Sequence, residues 1–141
     1  MNLRRLTSLL AAVLLVALSV TAVAVAAKPG TWTDSKRKLE FGIAKDKKHF
    51  EYLDWTCKKD ATVATGFRTG KVPKVHSNRR FKFTVAATVL KGGLPTKDVK
   101  VTMKGRFVKR NGKPRAVGTI RSGYCGKKAK SFKAKWSPSQ G

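Results

Sequence analysis

The chain has 141 residues, with 32 Lys and Arg against 7 Asp and Glu, and a formal net charge of +25. That length gives one domain and excludes large multidomain enzymes, coiled coils and repeat arrays, while 41% hydrophobic residues allow a small core and exclude a disordered basic tail. Two cysteines are too few for a disulfide-dense miniprotein and lack the paired spacing of a zinc finger.

Residues 1–27 read as an export signal. Arg4 and Arg5 form a basic start, an apolar run extends from Leu9 to Ala27, and Ala24-Val25-Ala26 and Val25-Ala26-Ala27 both satisfy the small-residue cleavage rule. Cleavage is expected after Ala26 or Ala27; the competing reading is an uncleaved anchor, because the run approaches the length of a spanning helix. No Cys follows the run, so no lipid-modified N-terminus is expected. Removing the segment takes away Arg4 and Arg5 but no acid, lowering the charge from +25 to +23. Export leads to an oxidising compartment, which makes Cys57 and Cys125 a disulfide pair. The expected location is extracellular or cell-wall associated.

Residues 28–36 read as a polar lead-in containing Pro29, Gly30 and Trp32, residues 37–137 as a single domain, and 138–141 as a tail. Within the domain, apolar residues alternate with period two and no amphipathic helix of useful length appears. Leu39, Phe41 and Ile43 mark one strand, Phe50 to Cys57 the next, and Ala61 to Phe67 a third. Phe81, Phe83, Val85, Ala87 and Val89 mark a long central strand, and Val99, Val101, Met103, Gly105 and Phe107 another. Ala116, Gly118 and Ile120 follow, and Phe132, Ala134 and Trp136 close the pattern.

Asn111-Gly112 is the favoured pair for a two-residue type I′ turn. Taking it as the turn sets Arg110 against Lys113, Phe107 against Ala116, Gly105 against Gly118 and Met103 against Ile120. Every pair matches inward with inward, which a slip of one residue would destroy. Pro114 then falls at a non-hydrogen-bonded position, where its missing N–H removes nothing from the hairpin. The whole predicts an all-β, antiparallel β-sandwich or small barrel of about seven to eight strands with one disulfide. Closing a loop of about 69 residues, that disulfide contributes on the order of 4 kcal/mol in the chain-entropy model.

Five features together form a layout: the signal segment; Lys38-Leu39-Glu40-Phe41-Gly42-Ile43; a strand ending in Cys57; the Val101-x-Met103-x-Gly105-x-Phe107 and Ala116-x-Gly118-x-Ile120 strands; and Cys125 before Ser131-Phe132-Lys133-Ala134-Lys135-Trp136. In this the chain resembles small exported bacterial β-sandwich proteins with one Cys pair, over nearly all its mature length. Most such proteins have no assigned activity, so the resemblance implies fold and export and supplies no catalytic residue.

Motifs of catalysis are weak. Gly66-Phe67-Arg68-Thr69-Gly70-Lys71 differs from a phosphate-binding loop: three residues separate its glycines instead of four, and Val72 follows the Lys instead of Ser or Thr. His49, Cys57, His76 and Cys125 have Cys₂His₂ stoichiometry without zinc-like spacing. No metal or other cofactor is expected. Glu51 and Asp54 with His49 are the candidate cluster for a small extracellular hydrolase, with charge balancing against neighbouring lysines as the simpler explanation. Trp55 and Trp136 fall on the core face, whereas Trp32 and Tyr124 fall in expected loops. Exposed there, they would make a salt-insensitive glycan- or protein-binding platform.

The charge is the more informative feature. Alternation points Arg80 and Lys82 outward on one strand, Lys100, Lys104 and Arg106 on another, then Arg115, Arg121, Lys133 and Lys135. In the hairpin register Lys104 faces Thr119 and Arg106 faces Val117, so like charges are not directly opposed. Loops 36–38, 45–48, 109–115 and 127–130 add further cations. Such a surface attracts polyanions. The expected function is that of a secreted, non-catalytic monomer binding wall polymer, acidic polysaccharide or non-specific nucleic acid, with contact to anionic membrane surfaces as a further option.

Overall fold

The computed structural model describes residues 23–67 and 72–138. Its strands in chain order are β1 (Val23–Ala24), β2 (Gly30–Asp34), β3 (Leu39–Ile43), β4 (Phe50–Lys58), β5 (Ala61–Gly66), β6 (Arg80–Lys91), β7 (Leu94–Arg110), β8 (Lys113–Ser122) and β9 (Lys130–Ser137), with a 3-10 turn at Gly123–Cys125. From β2 to β9 each strand pairs antiparallel with the next, and β9 pairs back onto β2, so eight strands close in an up-and-down ring. Of the two architectures the alternation permits, the barrel is the one that forms. Closure leaves those eight strands without a free edge. No helix among the described residues is long and apolar enough to cross a membrane.

The strand that completes the ring lies within the segment read from the sequence as a polar lead-in. In β2, Gly30, Trp32 and Asp34 are buried in alternation with Thr31 and Thr33, and the strand pairs with both β3 and β9. Five residues suffice because both flanks are hydrogen-bonded and the β-branched threonines suit the pleat. The lead-in is thus a barrel stave. Upstream of it, Val23 and Ala24 pair with Lys109 and Val108, the Val25 N–H donates to Phe107 O at 3.1 Å, and Ala27 is buried against the core. These residues belong to the segment assigned to the export signal. Residues 1–22, Arg68–Lys71 of the glycine-flanked segment, and 139–141 of the tail lie outside the described residues.

Side chains fill the barrel, as eight strands allow. Phe41 is central, with ring centroids at 6.3 Å to Trp32, 5.5 Å to Phe50, 6.5 Å to Phe81 and 6.2 Å to Phe132. Leu39, Leu53, Val63, Val89, Val101, Met103, Phe107 and Ile120 are among the residues packed with them, so the interior is packing and not a ligand chamber.

Two irregularities shape the outer surface. Phe50 and Leu53 are both buried although strict alternation would set them on opposite faces; Gly42 pairs with Tyr52 and Ile43 with Phe50, so β4 carries a bulge there. The bulge turns Tyr52 onto the outer wall over Gly42, where a Cβ would collide with its ring. The second is the Gly105–Gly118 pair on the inner face. A Cβ on Gly118 would lie 2.6 Å from Gly105 Cα, and one on Gly105 would lie 2.7 Å from the Phe81 ring. Glycines here let the two backbones approach and the sheet bend.

The β7–β8 register is the one the turn dictates, from Arg110↔Lys113 through Met103↔Ile120. Asn111 and Gly112 have φ of 50° and 74°, as a type I′ turn requires. Cys57 and Cys125 form the disulfide, with Cα atoms 5.5 Å apart, tying the end of β4 to the turn after β8.

Candidate polyanion interface

Barrel closure gives each strand two neighbours, and the second neighbour changes the charge pattern. Toward β8, Lys104 faces Thr119 and Arg106 faces Val117. Toward β6, however, Lys104 is opposite Lys82 and Arg106 is opposite Arg80. Arg115 faces Lys135 across β8 and β9, and Lys133 faces Val117. The avoidance of like-charge opposition therefore holds for Lys104 and Arg106 toward β8, where only Arg110 and Lys113 oppose each other beside the turn, and fails for both toward β6, because the hairpin register fixes one partner only. Directly opposed like charges destabilise a sheet, yet with Arg110 and Lys113 four such pairs lie within four adjacent strands.

Arg80, Lys82, Lys104 and Arg106 border a groove of about 470 Å³ over Gly105 and Gly118, with Phe81 also lining it. Val117 and Gly118 continue this groove into one lined by Lys36, Arg37, Lys133 and Lys135, and Arg115 joins Lys133 and Lys135 in a third. Seven of the nine sequence-predicted cations thus gather on the β6–β9 wall. Lys100 and Arg121 share the wall but stand apart. Lys100 faces Ala86 and Arg121 faces Thr102, and the Thr84–Thr102 pair, with hydroxyls 2.8 Å apart, lies between Lys100 and Lys104.

The wall on the far side has the opposite character. Its outward residues are Glu40 on β3, Tyr52, Asp54 and Thr56 on β4, and Thr62 and Ala64 on β5, with Lys58 only at the end of β4. Asp54 lies opposite Glu40. Burial, and then the charge of Glu40, hold its carboxyl above the usual carboxylate range. Burial also pushes the Tyr52 hydroxyl up; that hydroxyl donates to Glu40 Oε1 at 2.8 Å. Among the described residues no Lys or Arg pairs with a carboxylate; the one such contact is His49 Nδ1 with Asp46 Oδ2. Among the described residues the acids therefore make no ion pair with their lysine neighbours.

The residues of the candidate hydrolase cluster have separate surroundings. His49 is held by Asp46 in the β3–β4 turn, where Asp46 also accepts the Lys48 N–H at 2.8 Å, the main cause of its lowered pKa. Asp54 borders a groove with Tyr52, Thr88 and Asp98, not with His49 or Glu51. Among the described residues no three of His, Cys, Asp and Glu are placed to hold a metal ion.

The aromatic platform also fails to form at Trp32, which is fully buried because its segment is strand β2. Tyr124 is half-buried, with Lys58 and Lys97 ammoniums 4.2 and 4.8 Å from its ring centroid. Trp136 is half-buried rather than core; its indole donates to Pro29 O at 3.0 Å and Lys28 lies over the ring.

One cationic region escaped the alternation argument because it gathers turn residues and strand ends. Lys36, Arg37, Lys38, Lys58, Lys59 and Lys130 line a pocket of about 280 Å³ around the Cys57–Cys125 bond. The sequence holds its signal in the basic residues near each cysteine, Lys58-Lys59 after Cys57 and Lys130 beyond Cys125, which line the pocket together.

Fold and surface define a small, side-chain-filled up-and-down barrel with one disulfide and one cationic wall. No protein-family model, curated protein or solved structure matches the chain.

Proposed function

We propose that this is a secreted, non-catalytic protein that associates electrostatically with anionic envelope or extracellular polymers through its β6–β9 wall. The observation carrying the reading is charge segregation. Cations that gained only solubility would be spread around the ring, whereas here they crowd onto β6–β9 in directly opposed pairs and leave β3–β5 to Glu40 and Asp54. Such opposition is unfavourable for the fold alone; a polyanion laid across it converts the repulsion into attraction.

The mechanism is counterion release. Each phosphate or carboxylate met by a Lys or Arg frees a condensed ion, so affinity falls steeply as salt rises. Lysine ammoniums suit diffuse attraction better than bidentate readout, which fits wall polymer, acidic polysaccharide or non-specific nucleic acid. One barrel acts alone in this scheme. The test is retention of the purified, oxidised protein on immobilised wall polymer, DNA, acidic polysaccharide and neutral glycan across a salt series. Salt-sensitive retention on the anionic polymers is expected. Salt-insensitive binding to the neutral glycan would overturn the reading.

A further inference from the structure

We infer that the cationic wall is one stretch of a continuous track wrapping half of the barrel, and that its ligand is a flexible, linear polyanion in place of a flat bilayer or a stiff duplex; the inference rests on the function proposed above. Lys82, Lys104, Thr119 and Ser131 are successive register partners on β6, β7, β8 and β9. Arg37, in the β2–β3 turn, continues this row by donating its Nε–H to Ser131 O at 2.7 Å. Arg37 then opens onto the cationic pocket at the disulfide, beside Lys58 and Lys130. A carboxylate does line this stretch. It is Asp34, only 8% exposed, whose two oxygens accept the main-chain N–H groups of Arg37 at 3.1 Å and Lys133 at 2.7 Å. Its acceptors face the fold, so it tethers the turn to β9 and does not close the track.

The curvature selects the ligand. With eight strands in the ring, each step turns the outward direction by roughly 45°. Three steps separate β6 from β9, where Ser131 O holds the Arg37 side chain, so Lys82 and the Arg37 guanidinium face sides of the barrel roughly 135° apart. No plane touches both. A DNA duplex stays straight over about 150 base pairs and cannot bend around a single barrel. A single chain with free torsions can follow the row, crossing strands about 4.8 Å apart. The row offers Lys, Thr, Ser and Arg, with no aromatic face on which bases would stack, so the chain is read by charge and flexibility.

The test uses inorganic polyphosphate of graded length, a short DNA duplex and anionic lipid vesicles, with purified, oxidised protein. Polyphosphate affinity should climb with length until the track is filled and then level off. K36Q/R37Q should lower the salt slope for long polyphosphate by about 1.4, two contacts at about 0.7 each, and leave short polyphosphate, duplex and vesicle binding unchanged. K59Q/K130Q, which removes no hydrogen bond to Ser131, should act in the same way if the loss is electrostatic. Equal effects of these variants on every ligand, or no dependence on polyphosphate length, would overturn the track while leaving the wall intact. Absence of salt-sensitive binding to any polyanion would instead overturn the proposed function.

Discussion

The Lys82–Lys104 pair separates a functional charge from a structural one, because the two roles predict opposite stability changes. The residues are directly opposed on β6 and β7, flanked diagonally by Arg80 and Arg106. With opposed Cβ atoms about 5 Å apart, splayed ammoniums sit about 7 Å apart, where the repulsion is about 0.6 kcal/mol at the dielectric constant of water. Physiological salt, with a screening length of about 8 Å, cuts this by more than half. Adding the diagonal neighbours, K82Q should stabilise the barrel by about 0.5 kcal/mol at physiological salt, raising Tm by about 2 °C. Urea denaturation at low and high salt reads this, with a gain that grows as salt is lowered. The same variant should lower the salt slope of polyanion binding by about 0.7–0.9. A variant that loses stability, or whose gain ignores salt, would refute the argument that the wall carries unrelieved repulsion.

Three further outcomes follow from other parts of the fold. G118A should destabilise by about 3 kcal/mol, since its Cβ meets the backbone of Lys104 and Gly105, whereas G66A, with open space around its Cβ, should be near neutral; denaturant midpoints compare them. Asp54 has a raised pKa in the folded state, so its contribution is fully present below the unfolded value near 3.8 and is lost as pH rises through the folded value. D54N should therefore raise Tm at neutral pH and lose that gain in acid. A chain starting at Lys28 should be less stable than one starting at Val23 by about 1–2 kcal/mol, having lost the Val25–Phe107 hydrogen bond and the burial of Ala27.

Legibility followed locality. The β7–β8 hairpin is readable because Asn111-Gly112 and two alternating strands fix each other's register between Val101 and Ser122. Ring closure was not, because it rests on Trp32 meeting Trp136 across β2 and β9, a long-range pairing that alternation does not encode. The same holds for the site. Outward-facing cations could be listed from period two, but their opposition across β6 and β7 depends on a strand pair joined through Gly92-Gly93 with a register shift near Val89. Trp32 reads as a loop residue because Pro29 and Gly30 resemble a loop, although Gly30 at φ 128° begins a strand. The disulfide pocket, built from turns and strand ends far apart in the chain, carries no periodic signal of its own.

The central claim is that position on the wall, not total charge, governs binding. Two quadruple variants each remove four positive charges: R80Q/K82Q/K104Q/R106Q from the groove, and K45Q/K48Q/K74Q/K91Q from exposed sites off it. Polyphosphate titrations across salt should show the wall variant losing about 3 units of salt slope and most of its affinity, with the other variant near wild type. Equal losses in both would contradict the account and reduce the charge to a general property of the surface.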